Sequence, residues 1–508
     1  MPCFPTAMRL TRICAAVICI GFAHAALAQG ISIEPNITSS LIWSDNTTLG
    51  VSSEKRSDVI VDVRPSLRFL SGGPLLRLNG TVGLTSTSYV NGTESNDVAP
   101  QADLRLNAVL AQRFLFLDAS VRSFESADDL FGTRTDVVST VNRYSTMQYA
   151  LSPYIDRELS PRTRLIVRSD NTWTKANGAN VPVNDGYFGQ QTANFTIRPE
   201  PVGFGLQAEQ TDTRYSNTSE NLTREIARAS LSAAYDAQIE VAAIFGHERT
   251  HGELGRPESS SKVYGGRFAW RPSERTNLDV TVENRFFGTG WNMSFTHRTP
   301  FIAWNLSAQR QVSTYAERLF SLSGVGDVLS LLDAAFTTRF PDPVNRAHMI
   351  DEFLLQRGLS TTTQGAINVF SNRLDLFKSL SGTAAYIGPR DAASLTAYHT
   401  TVETLPGTDP FIQILFPSDV KQSGATINWS HRLTTQSALV TTLNYSEALG
   451  FNANAGDRAR QKTLRVEYNQ ALSPKTNGQI GARRQIYYST VDPDGQESAV
   501  YFGVSHRF

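Results

Sequence analysis

No cysteine follows Cys19, no later apolar run is long enough for a membrane helix, and neither sign of charge prevails. Each absence removes a class of protein. Cys3, Cys14 and Cys19 all fall in the first twenty residues, so the rest of the chain has no disulfide framework and no thiolate metal site. A helical membrane span asks for about 20 consecutive apolar residues. The chain has 47 Lys and Arg against 47 Asp and Glu. Setting aside Arg9 and Arg12 leaves 45 (47 less two) against 47, so the basic footprint of a nucleic-acid binder is missing. Linkers, low-complexity stretches and charge blocks that would part several soluble domains are missing too.

The first residues read as a secretion signal. Arg9 and Arg12 give a positive start, Ile13 to Ala26 is almost wholly apolar, and Ala26-Leu27-Ala28 is a small-x-small cleavage pattern. Residues 1–28 are expected to be a cleaved signal peptide, with the mature chain starting near Gln29. Residues 29–508 are expected to form one unit.

One pattern fills that unit. Val59, Val61, Val63, Leu67 and Phe69 alternate with Asp62, Arg64, Ser66 and Arg68. Leu104, Leu106 and Ala108 alternate with Asp103, Arg105 and Asn107. Leu278, Val280 and Val282 alternate with Asn277, Asp279, Thr281 and Glu283, and Leu464, Val466 and Tyr468 with Arg465, Glu467 and Asn469. Period two means strand, because successive side chains point to opposite faces. The runs last about ten to fourteen residues, which suits a tilted transmembrane strand better than a soluble one of about five or six.

Such runs number about 22, within a range of roughly 18 to 24. Tight links recur after every second strand: Ser71–Pro74, Leu159–Arg162, Arg271–Glu274, Gly388–Asp391 and Leu472–Lys475. The alternate links, such as Ser44–Arg56, Glu125–Asn142, Thr404–Pro417 and Gly450–Gln461, are longer and polar. Outer-membrane barrels have short periplasmic turns and long external loops. The fold class is therefore all-β, a transmembrane antiparallel up-and-down β-barrel. The short link near Gly288–Gly290, where a long one is due, is the weakest point of this scheme.

Trp43, Trp173, Trp270, Trp291, Trp304 and Trp429 all map near strand ends, three toward each rim, where amphipathic rings favour the membrane interface. At the C-terminus Val500, Phe502, Val504, His506 and Phe508 share one strand face. That final strand resembles the signal read by the barrel-assembly machinery of outer membranes, an expected partner beside membrane lipids and lipopolysaccharide.

Between Leu322 and Leu359 the period lengthens, and two short helices are expected. Val328, Leu331, Leu332, Ala335 and Phe336 form one helical stripe. Asp342 and Pro343 supply an N-cap and first turn, Gly358 a C-terminal cap, and Val344, Ala347, Ile350, Phe353 and Leu354 a second apolar face. By strand parity this insertion joins two strands on the external side. It either folds inward as a plug or lies over the mouth.

The stretch RPSERTNLDVTVENRFFGTGWNMSFTHRTPFIAWNLSAQRQVST (Arg271–Thr314), with PDPVNRAHMIDEFLLQRGL (Pro341–Leu359) and LSPYIDRELSPRTRLIVRSDNTWT (Leu151–Thr174), resembles the PEP-CTERM system-associated outer-membrane protein family. The resemblance is strongest between about Arg271 and Tyr398. Members occur with exopolysaccharide biosynthesis and export genes. The resemblance thus implies export or assembly of exopolysaccharide at the outer membrane, with that polymer and its periplasmic export machinery as partners. It supplies no catalytic residues.

His247-Glu248-Arg249-Thr250-His251 matches the H-E-x-x-H of zinc proteases, which requires a helix so that both histidines share a face. Here Ile239–Phe245 reads as strand, and on a strand the histidines would stand about 13 Å apart. His297, His399, His431 and His506 also fall in strands, without a nucleophile at a diagnostic spacing. No catalytic, cofactor or metal residue is therefore assigned. Arg64, Arg68, Arg105, Arg465, Asp62, Asp279, Glu283 and Glu467 are expected to face the lumen, because Arg on the lipid side costs up to about 2–4 kcal/mol at the bilayer midplane. There they either pair with one another or line a wet path for a polar polymer. The expected function is a passive or gated conduit. The alternatives are a docking component with a filled lumen and a rim hydrolase acting on lipid or polysaccharide.

Overall fold

The structure, a computed structural model, describes residues 31–51, 53–126, 129–133, 142, 144–177, 185–216, 221–252, 258–321, 328–337, 339–357, 373–405 and 419–508. The expected signal peptide, residues 322–327, and the expected cap Gly358 lie outside them.

The strands, in chain order, are β1 (Ser32–Ser44), β2 (Asp58–Gly72), β3 (Leu76–Tyr89), β4 (Asp97–Ala111), β5 (Leu115–Ser126), β6 (Tyr144–Ser160), β7 (Thr163–Asn177), β8 (Gly186–Ile197), β9 (Val202–Tyr215), β10 (Leu222–Ala234) and β11 (Ile239–His251). They continue as β12 (Ser259–Ser273), β13 (Thr276–Arg285), β14 (Gly288–Arg298), β15 (Ile302–Ser313), β16 (Asp375–Ile387), β17 (Asp391–Thr404), β18 (Val420–Arg432), β19 (Ser437–Gly450), β20 (Arg458–Ser473), β21 (Thr476–Ser489) and β22 (Gly495–Arg507). Each pairs antiparallel with its sequence neighbours. β1 closes on β22 over Asn36↔Arg507 to Ser44↔Ala499. Closure leaves no strand edge, which is what a sheet in hydrocarbon requires.

Links after even-numbered strands are two to four residues long, such as 161–162, 274–275 and 474–475. Most links after odd-numbered strands are longer, such as 45–57 and 127–143. The short-turn end is the periplasmic one by this asymmetry. The exception foreseen around Gly288–Gly290 is real but sits one step earlier: Phe286 and Phe287 alone join β13 to β14. These are the two shortest strands, 10 and 11 residues, so the wall is low there.

The outer face is apolar from rim to rim, with Leu41, Leu206, Val241, Leu306, Leu380, Leu443, Val466 and Phe502 all exposed. Trp43, Trp173 and Trp291 lie toward the external ends of their strands, and Trp270, Trp304 and Trp429 toward the periplasmic ends. The aromatic girdles are thus in place. Phe502 and Val500 face outward on β22, as the C-terminal pattern requires.

One prediction arises here. Leu380 stands mid-strand on the outer face of β16 and is 57% exposed. Leu380→Arg is expected to lower folding stability in phospholipid vesicles by about 2–4 kcal/mol, read from urea unfolding. An unchanged midpoint would mean that this face does not meet lipid.

Candidate functional site: the lumen and its insertion

A barrel of 22 strands has a lumen too wide for wall side chains to fill. Here the link between β15 and β16 enters it. Three helices are described: α1 (Tyr315–Ser321), α2 (Val328–Phe336) and α3 (Pro343–Arg357). The two expected helices are α2 and α3, and Asp342 caps α3 by accepting from Asn345 N at 2.9 Å. The helical region starts earlier than Leu322, with the additional helix α1. Its signal is present in the sequence: Thr314-Tyr315-Ala316-Glu317 has the spacing of a capping box. Thr314 Oγ1 accepts from Glu317 N at 3.2 Å.

The insertion runs inward and reaches both ends of the lumen. At the external end, Tyr315 Oη meets Tyr144 Oη at 3.2 Å. Arg224 on β10 reaches across the lumen to Glu317 at 3.0 Å and to Val312 O at 2.9 Å. Arg318 donates to Asp375 at 3.2 Å, and Arg373 donates to the same carboxylate at 3.1 Å. All three of these groups are at most 1% exposed.

At the periplasmic end, Leu331 of α2 packs on Ala303 and Ala385. Leu332 and Phe336 pack with Ile350 and Leu354 of α3, and Ile387 joins them from the wall. Arg357, the last residue of α3, donates to the carbonyls of Gly388, Pro389 and Arg390 in the turn after β16. Ser430 Oγ returns a bond to Arg357 O at 2.7 Å. The lumen face beneath the helices is built from small residues, Ala303, Ala385, Ala392, Ser394, Ser430 and Ala438, all buried. Small side chains let a helix approach a strand closely. They also explain why no long apolar pattern on these strands announces the contact.

Loops add a lid on the other side of the external mouth. Leu49, Leu130 and Phe131 fold inward onto Phe377, Val402, Val420, Ala448, Ala459 and Tyr487. Tyr487 Oη donates to Phe131 O at 2.6 Å, and Asp492 accepts from Thr133 N at 2.6 Å.

The charged residues expected in the lumen lie on its wall. Arg64 pairs with Asp62 at 2.7 Å, and Arg105 stands 3.7 Å from Asp103. Arg228 pairs with Glu283 at 2.8 Å, and Asp279 with Arg267 at 2.5 Å. Glu467 accepts from Tyr501 Oη at 2.6 Å. Arg68 and Arg465 share the inner face by alternation along β2 and β20. Pairing is thus the rule for these charges. Further partners that sequence could not supply are Arg168 between Asp118 and Asp170, and Arg483 with Glu497. Most such pairs join different strands, so only the register reveals them.

Along the wall from β8 to β15 lies a cavity of about 770 Å³. Its lining includes Arg198–Glu200, Asp236–Gln238 and Arg271, which belong to the periplasmic turns or adjoin them, so it opens toward the periplasm. Arg228, Glu283 and Arg285 line its inner end, and Arg224 with Glu317 lies above them toward the external side.

The H-E-x-x-H residues sit on β11, and alternation turns both histidines outward. Glu248 points inward, 1% exposed, and pairs with Arg285 at 2.5 Å. Among the described residues no three His, Cys, Asp or Glu come together as a metal set. His297, His399, His431 and His506 each hydrogen-bond the residue directly opposite on a neighbouring strand: Thr276, Ser423, Asp391 and Thr476. All four lie on the outer face, His297, His431 and His506 near the periplasmic strand ends and His399 opposite Leu380 part-way up the wall, so none of them lines a lumenal cleft.

No family profile and no curated protein matches the chain. Several solved structures are similar in fold. The siderophore receptor PirA from Acinetobacter baumannii is 8% identical, with 94% of this chain and 80% of that chain covered and a TM-score of 0.46. The FrpB iron transporter from Neisseria meningitidis is 12% identical over 94% and 82%, with a TM-score of 0.47. OccK3 from Pseudomonas aeruginosa is 9% identical over 94% and 96%, with a TM-score of 0.34. The likeness is one of barrel architecture.

Proposed function

We propose that this chain is an outer-membrane conduit for a polar polymer, held shut by its own lumenal insertion, and that it serves export or surface assembly of exopolysaccharide. The observation that carries the proposal is the path of the insertion between β15 and β16. It leaves the wall at the external rim, is fastened at the periplasmic turns through Arg357, and rejoins the wall at Asp375. A polar cavity open toward the periplasm lies alongside. The resemblance of Arg271–Thr314 and Pro341–Leu359 to the PEP-CTERM-associated family supplies the polysaccharide context. Periplasmic export machinery is then the natural partner at the short-turn end, and the barrel-assembly machinery the reader of β22.

A second reading, a docking component that never opens, is favoured by the same insertion together with the paired lumen charges. Conductance separates the two, because only a conduit has a state in which the insertion stops blocking the path. A rim hydrolase draws no support from the outward-facing histidines.

A further inference from the structure

The cavity along β8 to β15 holds two kinds of polar group, and they differ in what they are free to do. The charges of its inner wall are already satisfied by one another. Arg228 is held by Glu283, Arg267 by Asp279 and Glu240, and Arg285 by Glu248. Glu209, on the same wall, lies within 4 Å of both Arg224 and Arg228. Four guanidinium groups thus face five carboxylates on this wall, and each of the nine lies within 4 Å of an opposite charge.

The neutral side chains are uncommitted. Asn194, Gln207, Ser230, Ser232, Asn292 and Gln311 all line the cavity. Alternation turns each of them inward, and none has a side-chain hydrogen bond among the described residues. They come from five strands, β8–β10 and β14–β15, and so face the space from the two flanks of one arc of the wall. Gly205, opposite Ser230 in the register, adds no side chain to the wall, and a Cβ there would stand 2.5 Å from Ser230 Oγ. The aromatics in the lining, Phe195, Phe204 and Trp291, sit on outward-facing positions, so the lumen side offers hydrogen bonds rather than ring faces.

We infer that this cavity is a periplasm-facing binding vestibule for an uncharged, polyhydroxylated chain end. Amide and hydroxyl side chains both donate and accept, as sugar hydroxyls do. A volume of about 770 Å³ lies within the range of pockets that enclose a small ligand, roughly 300–1,000 Å³. An anionic chain would find the guanidinium groups of the inner wall already paired, and a cationic one their carboxylates. The inference rests on the conduit reading but names its substrate class, and it gives the vestibule a place in the sequence of events. The chain end is recognised first, below the ionic layer that includes Arg224 and Glu317, and passage waits on the insertion.

The test is binding by the full-length purified barrel in detergent, which requires no opening. Titration calorimetry would compare maltoheptaose, hexagalacturonate and a glucosamine hexamer as neutral, acidic and basic probes. The expected result is binding of the neutral probe, weakened about tenfold or more by Gln207→Ala with Asn292→Ala, and abolished by Ser230→Trp. Asn79→Ala, on the far wall, should leave it unchanged. Heat-modifiable gel mobility of every variant guards against misfolding. Tighter binding of a charged probe, no binding of any probe, or indifference to the vestibule substitutions would overturn the inference. A barrel that binds but never conducts would instead overturn the conduit reading, and one that conducts without binding would leave that reading standing alone.

Discussion

Excising residues 315–372 and joining Thr314 to Arg373 by a short glycine–serine link is expected to raise single-channel conductance in planar bilayers about tenfold. The reason is geometric, since a 22-stranded wall encloses a wide lumen once nothing fills it. The excision is compatible with the wall, because Ser313 and Asp375 are register partners on neighbouring strands. A short link therefore turns β15 and β16 into an ordinary hairpin. The surface uncovered beneath α2 and α3 is made largely of alanine and serine and costs little to expose, whereas loss of α1 uncovers Phe188 and Tyr215, so the destabilisation falls at the external end. Retained heat-modifiable mobility shows that the barrel has formed. Closed behaviour in both forms would favour the docking component and retire the conduit.

Asp375→Ala is the substitution expected to cost most stability. Its carboxylate stands between the guanidinium groups of Arg318 and Arg373, with all three essentially sealed from water. Removing it leaves two like charges buried together. Breaking a buried pair in this way typically costs about 3–5 kcal/mol. Because Arg318 belongs to α1 and Asp375 opens β16, the loss falls on the external anchor of the insertion. The expected readouts are a lower urea midpoint and brief openings more frequent than those of the unaltered barrel. A midpoint unmoved by Asp375→Ala would show that the triad does not bear on folding.

The wall was legible in the sequence and the lumen was not. Alternation along Val59–Phe69 or Leu464–Asn469 fixes which side chains face lipid, because a membrane strand that places charge outward is heavily penalised. Turn length then fixes which end is periplasmic. The insertion was legible as helix, through the Val328–Phe336 stripe and the Asp342 cap, yet its direction was not. What settles its direction is a set of small buried residues, Ala303, Ala385, Ser430 and Ala438, and small residues carry almost no periodic signal. The seven-residue α1 was missed because its apolar stripe is too short to register, although the Thr314–Glu317 capping box marks its start. The six vestibule side chains are ordinary Asn, Gln and Ser. Only the curvature of the sheet brings those five strands to one space, and only the register shows that the neighbouring charges are spoken for.

The most direct test of the central claim is to hold the insertion still. No cysteine follows Cys19, so Leu331→Cys with Ala303→Cys gives one addressable pair between α2, at the periplasmic end, and the wall it packs on. With that pair joined by a short thiol-reactive bridge, the barrel should stay closed at every voltage that opens the unbridged protein. Cleaving the bridge should restore opening. Equal conductance of the bridged and unbridged barrels would contradict the account, because the insertion would then not be the gate.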